Sequence, residues 1–157
     1  MKAATVIQIK KELTHLTQSE LIELCLRLSK FKKENKELLT YLLYEAENEF
    51  VYIESVKTEI EEQFENINTD SFFYIKKSVR KILRMVKKYI RYSKEKETEV
   101  ELLIHFCRVL KEMQPSIERN VTLTNIFNRQ ILLIRKTIDI LHEDLQYDYN
   151  LELEELS

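Results

Sequence analysis

The 157-residue chain contains no glycine and a single proline, Pro115. Average usage would place about eleven glycines and eight prolines in a chain of this length. Glycine-rich phosphate loops, dinucleotide-binding folds, primed β-hairpin turns and nucleophile elbows all need residues that tolerate positive φ or close backbone approach. The lack of glycine therefore argues against these sites, and also against α/β-barrel and collagen-like architectures.

A net charge of one sign and long hydrophobic runs are also lacking. The chain has 25 cationic and 27 anionic side chains, a formal net charge of −2, and 44% apolar residues. This composition is typical of a folded, water-soluble protein with no overall attraction to nucleic acid or membranes. Apolar runs reach only about five residues and the N-terminus shows no secretory pattern, so we predict no transmembrane segment and a cytoplasmic location.

Cysteine is scarce too. The chain has two cysteines, Cys25 and Cys107, which are too few for a disulfide framework, and each lies within an apolar helical stretch. We predict that both are reduced and buried in the core of a cytoplasmic protein.

Apolar residues recur with a 3.6-residue period in nearly every segment, which is typical of amphipathic α-helices. We predict an all-α protein, an antiparallel bundle or short α-α stack of about five to six helices with no β-sheet. No break in composition marks a second domain, so residues 1–147 are expected to form one all-helical domain, followed by an acidic C-terminal tail, 148–157, that frays. A HEAT-like solenoid fragment is the alternative, although the fixed repeat it requires is missing.

Local signals place the first helices. A short helix is predicted over Ala3–Thr14, and Thr17 with Glu20 forms a capping box that starts the second helix. The second helix carries an apolar stripe made of Leu21, Leu24, Cys25, Leu28 and Phe31. A polar run then interrupts it, with Asn35 as the candidate cap of the next helix.

A long uninterrupted helix is predicted next. Apolar residues step by three or four positions from Leu39 to Ile67, so one helix of about thirty residues would place them all on one side. It ends in an asparagine-rich segment, 66–71, where asparagine in the left-handed conformation would replace glycine. Asp70 or Ser71 then caps a further helix that runs to Tyr92.

Two more helices complete the prediction. The first, over about Glu97–Met113, has apolar residues on more than one face, so we expect it to lie at the centre of the packing. Pro115 ends it or opens the next helix. The last helix is predicted to start at Ser116 or Thr124 and to keep its apolar register as far as Leu145.

The helix over residues 75–94 is strongly basic. Nine cations occupy nineteen positions without an acidic residue among them. At 100° per residue they fall within an arc of about 140°, with Tyr74 and Tyr92 at its borders and aliphatic residues opposite. We call the following nine residues the basic face: Lys76, Lys77, Arg80, Lys81, Arg84, Lys87, Lys88, Arg91 and Lys94.

Like charges four residues apart destabilise a helix, so a row of cations needs a partner that offsets their repulsion. We consider three kinds of partner for the basic face. Glutamates of the acidic stretch 36–67 would pair with part of it if the two helices are antiparallel neighbours. A nucleic-acid backbone would match spaced cations on a rigid rod, with the tyrosines stacking on bases. An acidic protein partner or an anionic lipid surface is the third.

Catalytic and metal-binding sets are poorly represented. Di-iron bundles need two Glu-x-x-His pairs, whereas the chain has Glu101 four residues before His105 and a single Asp139-x-x-His142. His105 and Cys107 project about 200° apart on a helix and cannot share a metal. We therefore predict no metal site, no cofactor and no catalytic residue.

One pattern points to an enzyme. Arg135 and His142 fit the Arg-x(4–6)-His spacing of the HEPN ribonucleases, which are also small and all-helical. Lys136 stands where those enzymes often have a polar residue. The alternative interpretation is an exposed arginine and histidine on the outer face of the last helix.

The middle of the chain resembles a class of known proteins. The runs Lys76–Arg84, Lys88–Ser93 and Glu99–Cys107, all within residues 76–107, resemble small all-helical bacterial proteins of unknown function. The resemblance implies a bacterial origin and a cytoplasmic location, and it brings no activity, cofactor or catalytic residue.

These observations lead to three functional hypotheses. The uniform helical pattern and the lack of a convergent catalytic set favour a non-enzymatic helical module that works through a protein partner or homo-oligomerisation. The alternative is binding of nucleic acid, or of another acidic partner, through the basic helix 75–94. A HEPN-like ribonuclease is the remaining alternative.

Overall fold

The computed structural model describes residues 1–157 and contains eight α-helices and no β-strand. The all-α prediction is confirmed, with more helices than expected. The helices are α1 (Val6–Leu13), α2 (Gln18–Phe31), α3 (Lys33–Thr40), α4 (Glu49–Glu65), α5 (Phe72–Ser93), α6 (Lys96–Glu112), α7 (Val121–Ile138) and α8 (Glu143–Leu156). A π-helical turn, Tyr41–Glu45, precedes α4, and a 3₁₀ turn, Ile117–Arg119, precedes α7. None of the helices combines the length and apolar character needed to cross a membrane.

The distribution of contacts along the chain divides it into two compact units, residues 1–44 and 45–157. We refer to them as the N-terminal unit and the C-terminal unit and describe each by itself. The single domain expected over residues 1–147 stays a prediction.

Two capping boxes start the first helices of the N-terminal unit. The Thr5 hydroxyl accepts a hydrogen bond from the Gln8 amide at 3.3 Å, and the Gln8 side chain accepts one from the Thr5 amide at 2.9 Å. The predicted box of Thr17 and Glu20 is confirmed, with the corresponding distances at 3.2 and 2.9 Å. Each box satisfies two amides that the first turn of a helix leaves without partners, which sets where α1 and α2 begin.

The apolar stripe of α2 is exposed, contrary to the prediction. Phe31 is 80% exposed, Leu28 is 53% exposed and Cys25 lies at the surface, so the expectation that Cys25 belongs to the core is wrong. Asn35 is not a helix cap, because Lys32 occupies the cap position and the Asn35 side chain donates to the Leu28 carbonyl at 2.8 Å. Periodicity identifies the amphipathic face of α2, but the eight-residue α3 is too short to cover it.

The long helix predicted over Leu39–Ile67 is interrupted, so that prediction is wrong. Helix α3 ends at Thr40, the π-helical turn follows, and α4 begins only at Glu49. Asn48 caps α4 by accepting a hydrogen bond from the Val51 amide at 3.3 Å. Asparagine competes for backbone hydrogen bonds and therefore favours a helix start over helix continuation. The spacing of apolar residues does not indicate where such a competing hydrogen bond interrupts a helix.

Helix α6 is the central helix of the C-terminal unit, as predicted. It packs against α4, α5, α7 and α8. Its apolar residues that are fully or almost fully buried are Val100, Leu102, Leu103, Ile104, Phe106, Cys107 and Leu110. The Phe106 ring contacts Phe64 of α4, with ring centroids 5.7 Å apart. The core of this unit therefore surrounds one helix that is apolar on several sides.

Helix α5 begins and ends close to the predicted positions. Ser71 precedes it without a side-chain capping bond, and Lys94 ends it in the left-handed conformation with φ 61°. Lys94 is the one residue of the chain with positive φ. Asn66, which ends α4, keeps φ at −93°, so a lysine rather than an asparagine takes the left-handed position.

The final stretch forms two helices rather than the single one predicted. Helix α7 starts after Asn120, whose side chain accepts a hydrogen bond from the Leu123 amide at 3.2 Å, and it ends at Ile138. Helix α8 then covers most of the residues expected to form a frayed tail. Tyr149 and Leu153 are buried within it, so the frayed-tail prediction is wrong. Burial of apolar residues offsets the acidic character of this segment.

Candidate anion-binding face

Eight of the nine residues of the basic face lie on α5, on the side opposite the core, and Lys94 follows the last residue of the helix. The apolar side of this helix packs against α4 and α6. Its buried residues are Ile75, Val79, Ile82, Val86 and Ile90. Seven of the nine cations are exposed, and Lys76 and Lys88 are half-buried. The predicted regular helix, with cations on one flank and aliphatic residues inward, is confirmed.

Most cations of the basic face have no acidic partner within the C-terminal unit. No carboxylate oxygen of that unit lies within 4.0 Å of the charged nitrogens of eight of them: Lys76, Lys77, Arg80, Lys81, Arg84, Lys87, Arg91 and Lys94. The Nζ of Lys88 lies 5.1 Å from the ring centroid of Tyr89. The ion pairs considered between the basic face and the acidic helix are therefore not formed by these eight residues.

Two carboxylates of α4 that lie near α5 accept hydrogen bonds from hydroxyl groups. Glu49 accepts hydrogen bonds from the Ser93 hydroxyl and, at 2.6 Å, from the Thr98 hydroxyl. Glu59 accepts one from the Tyr89 hydroxyl at 3.1 Å. These contacts fix α4 to α5 and to the start of α6.

A second polar cluster joins α4, α6 and α8. The Nζ of Lys57 donates to Glu101 at 2.8 Å and to Glu54 at 3.0 Å. Burial alone would lower the pKa of Lys57, but the hydrogen bonds and the charges of Glu101 and Glu54 raise it above its usual range. The Tyr149 hydroxyl lies 2.9 Å from Glu97 and 3.0 Å from Glu101, and burial together with these carboxylates raises its pKa. Glu97 and Glu101 therefore contact groups on neighbouring helices and hold these helices together.

His105 and Cys107 face different surroundings on α6. The Nε2 of His105 lies 3.0 Å from Glu61. Burial lowers the pKa of His105; Glu61 opposes this decrease, and Lys57 and Arg108 add to it. Burial raises the pKa of the Cys107 thiol to about 12, and the prediction that this cysteine is buried is confirmed. No group of three or more His, Cys, Asp or Glu side chains is arranged to hold a metal ion.

Arg135 and His142, the pair that fits the HEPN spacing, lie on separate helical elements. Arg135 is in the last turn of α7, whereas His142 caps α8 by accepting a hydrogen bond from the Asp144 amide at 3.3 Å. Both side chains are exposed, as the non-catalytic interpretation expects, but they do not share one helix.

Two residues that lie beside the cations of the basic face, Phe73 and Arg119, are not among the site residues predicted from the sequence. Phe73, which is 67% exposed, precedes Lys77 by four positions, and at 100° per residue it falls inside the cationic arc. Arg119 of the 3₁₀ turn places its guanidinium 5.9 Å from the ring centroid of Phe72, at the start of α5. The register of Phe73 was available from its spacing. The position of Arg119 was not, because only the fold brings it to α5.

The C-terminal unit, which carries the basic face, is acidic as a whole. Residues 45–157 carry 17 cationic and 22 anionic side chains, a net charge of −5 that already includes the basic face. Outside the basic face the unit has 8 cations against 22 anions. Salt limits the reach of exposed charges to about 8 Å at physiological ionic strength. An anionic ligand is therefore attracted locally along α5, and not by the unit as a whole.

Comparisons of the chain with protein-family models, with curated proteins and with solved structures find no significant match. What the site can bind must therefore be deduced from its own geometry and charge. The basic face offers positive charge and hydrogen-bond donors along one side of a rigid helix, without an acidic or nucleophilic group among them. Such a surface can neutralise a row of anionic groups.

Proposed function

We propose that the protein is a helical binding module whose basic face contacts the phosphate backbone of a nucleic acid. The observation that carries this proposal is the lack of a carboxylate partner for eight of the nine cations. Five pairs of basic-face cations are four residues apart. At about 0.2–0.5 kcal/mol per pair, α5 retains roughly 1–2.5 kcal/mol of repulsion. A bound polyanion would relieve this repulsion.

The length of the basic face favours a row of phosphates over one small anion. The distance from Lys76 to Lys94 is about 27 Å at 1.5 Å per residue. One DNA strand places about eight phosphates over that length, at 3.4 Å each. Arginines at positions 80, 84 and 91 offer planar guanidinium groups, which bind phosphate oxygens through two parallel hydrogen bonds. A small anion would use only a fraction of these donors.

Charge reversal of the basic face tests the proposal. The variant Arg80→Glu, Arg84→Glu, Arg91→Glu is expected to bind labelled oligonucleotides about 100-fold more weakly than the wild type in fluorescence anisotropy at low salt. For the wild type, the logarithm of the binding constant should fall steeply with the logarithm of the salt concentration. The variant should melt at the same or a higher temperature, because the substitutions remove like-charge pairs.

The matched control changes the same amount of charge elsewhere on the C-terminal unit. Arg129, Arg135 and Lys136 on α7 are exposed and have no carboxylate partner within that unit. Their replacement by glutamate should change affinity by less than about threefold, because they lie outside the row on α5. Equal losses in both variants, or binding that does not respond to salt, would contradict the proposal.

A second candidate function, self-association, is favoured by the N-terminal unit. Helices α1 and α3 contain no buried residue, and an isolated helix as short as α1 is not stable in water. Helices α2 and α3 also leave an apolar groove of about 200 Å³. The groove is lined by Cys25, Leu28, Ser29, Asn35, Leu38, Leu39 and Leu42. A second copy of the chain would supply matching apolar faces in a two-fold arrangement.

Self-association predicts a mass that depends on concentration. Light scattering over a dilution series should show a dimer that dissociates on dilution, and Phe31→Asp should shift it to monomer by placing a charge in the interface. Phe50→Asp is the control, because Phe50 is similarly exposed but belongs to the C-terminal unit. A strict monomer at every concentration would rule out this candidate.

A further inference from the structure

We infer that the nucleic acid on the basic face is single-stranded, and that Phe73 and Tyr74 form a stacking platform for its bases. We call these two residues the aromatic pair. The inference rests on the proposed function, because it takes the basic face as the site of the phosphate backbone. It is carried by a separate observation, the exposure of aromatic rings at the end of the row of cations.

The aromatic pair is open to solvent. Phe73 is 67% exposed and Tyr74 is 46% exposed, and their ring centroids are 5.4 Å apart in an edge-to-face arrangement. The core does not account for Phe73, since the buried side of α5 is formed by aliphatic residues on the opposite flank. In an edge-to-face pair at least one ring keeps a face free, and bases stack on such faces whatever their sequence.

The register of α5 aligns the aromatic pair with the phosphate-binding cations. Phe73 precedes Lys77 by four positions and Arg80 by seven, so the three side chains share one side of the helix. Successive turns are about 5.4 Å apart. A strand whose phosphates follow the arginines therefore reaches Phe73 at the first turn of α5. Arg119 stands beside that same turn, where it adds a cation that no acidic residue of the unit pairs.

The aromatic pair distinguishes a single strand from a duplex. Inside a duplex each base is covered on both faces by its neighbours, and exposing one requires that it be unstacked and unpaired. Unpaired bases present their faces freely. A surface that combines a track of cations with exposed rings on the same helix side is therefore suited to a strand whose bases are already available.

Substitution of Phe73 separates base stacking from charge. Phe73→Ala should weaken binding of a labelled single-stranded oligonucleotide about tenfold. It should leave binding of inorganic polyphosphate within about twofold, because that chain carries phosphates and no bases. Phe50→Ala is a closely matched control: Phe50 is also exposed and is the second residue of α4, as Phe73 is of α5. It should change neither affinity.

The outcomes separate the inference from the proposed function. Tighter binding of the single strand than of a duplex of the same sequence, weakened by Phe73→Ala and not by Phe50→Ala, supports both. If duplex or polyphosphate binds as tightly as the single strand, or Phe73→Ala changes nothing, the inference is overturned and the proposed function stands. If no nucleic acid binds, or if only vesicles of anionic lipid bind, both are overturned.

Discussion

Both units of the chain consist of amphipathic helices, but only the C-terminal unit buries their apolar faces. There α6 packs against four other helices, and Phe106 is fully buried. In the N-terminal unit α2 packs mainly against the short α3, and Phe31 is 80% exposed. Both phenylalanines are apolar residues of a helix, but α6 has four neighbouring helices and α2 has mainly one, so the number of neighbours contributes to whether a side chain enters a core.

This difference explains what each unit has available for binding. A side chain leaves water only when neighbours surround it, and two helices cannot enclose their shared face as five can. The N-terminal unit therefore keeps apolar surface, which suits a protein partner. The C-terminal unit buries a core of apolar residues around α6 and keeps a row of charge without acidic partners, which suits a polyanion.

Truncation of the two phenylalanines should give the largest contrast between the units. Phe106→Ala should lower the free energy of unfolding by about 3–5 kcal/mol, because it removes buried contacts and leaves a cavity. Phe31→Ala should change it by less than about 0.5 kcal/mol. Urea denaturation followed by circular dichroism measures both. A large loss for Phe31→Ala would show that a second copy covers α2 in solution.

The two cysteines allow the same comparison between the units through the reactivity of their thiols. Cys25 is exposed, whereas burial raises the pKa of the Cys107 thiol to about 12. The reactive thiolate is therefore much rarer at Cys107 than at an ordinary thiol. Native protein should therefore react with a thiol reagent once, at Cys25, and a second time only after unfolding. The Cys25→Ser variant should lose the fast phase, and equal rates for both cysteines would contradict the packing described.

Helix capping should produce a smaller effect. Thr17→Ala removes the hydroxyl that accepts a hydrogen bond from the Glu20 backbone amide, and it should cost about 1 kcal/mol. Ser71→Ala should cost only a few tenths of that, since Ser71 precedes α5 without a side-chain capping bond. Amide hydrogen exchange resolves the two helices separately. Comparable acceleration of exchange in α2 and α5 would contradict this assignment.

The smallest effect should come from pH, because Glu61 offsets part of the shift at His105. Burial lowers the pKa of His105 below its ordinary 6.5, so the unfolded chain takes up this proton at a higher pH than the native chain. The contribution to stability is complete above pH 6.5 and is lost as the pH falls through the native pKa. His105→Gln should flatten this dependence in urea titrations, and an unchanged dependence in this variant would contradict the assignment.

Sequence patterns were most reliable where the physics is local. The Thr17 capping box, the start of α5 after Ser71 and the central place of α6 all follow from contacts within one or two turns or from the density of apolar residues. The long helix ending at Ile67 and the buried Cys25 were wrong. Both needed knowledge of competing hydrogen bonds or of neighbouring helices, which an apolar period does not contain.

Some features of the candidate site were likewise predictable from the sequence, and others were not. Its cationic row and the alignment of Phe73 with that row were determined by the sequence, because a helix turns by 100° per residue wherever it lies. Only the tertiary structure decided that Glu49 and Glu59 bind hydroxyl groups and that Arg119 stands beside Phe72. Those partners are distant along the chain, and their choice depends on how whole helices dock, since side-chain charges interact through space rather than along the sequence.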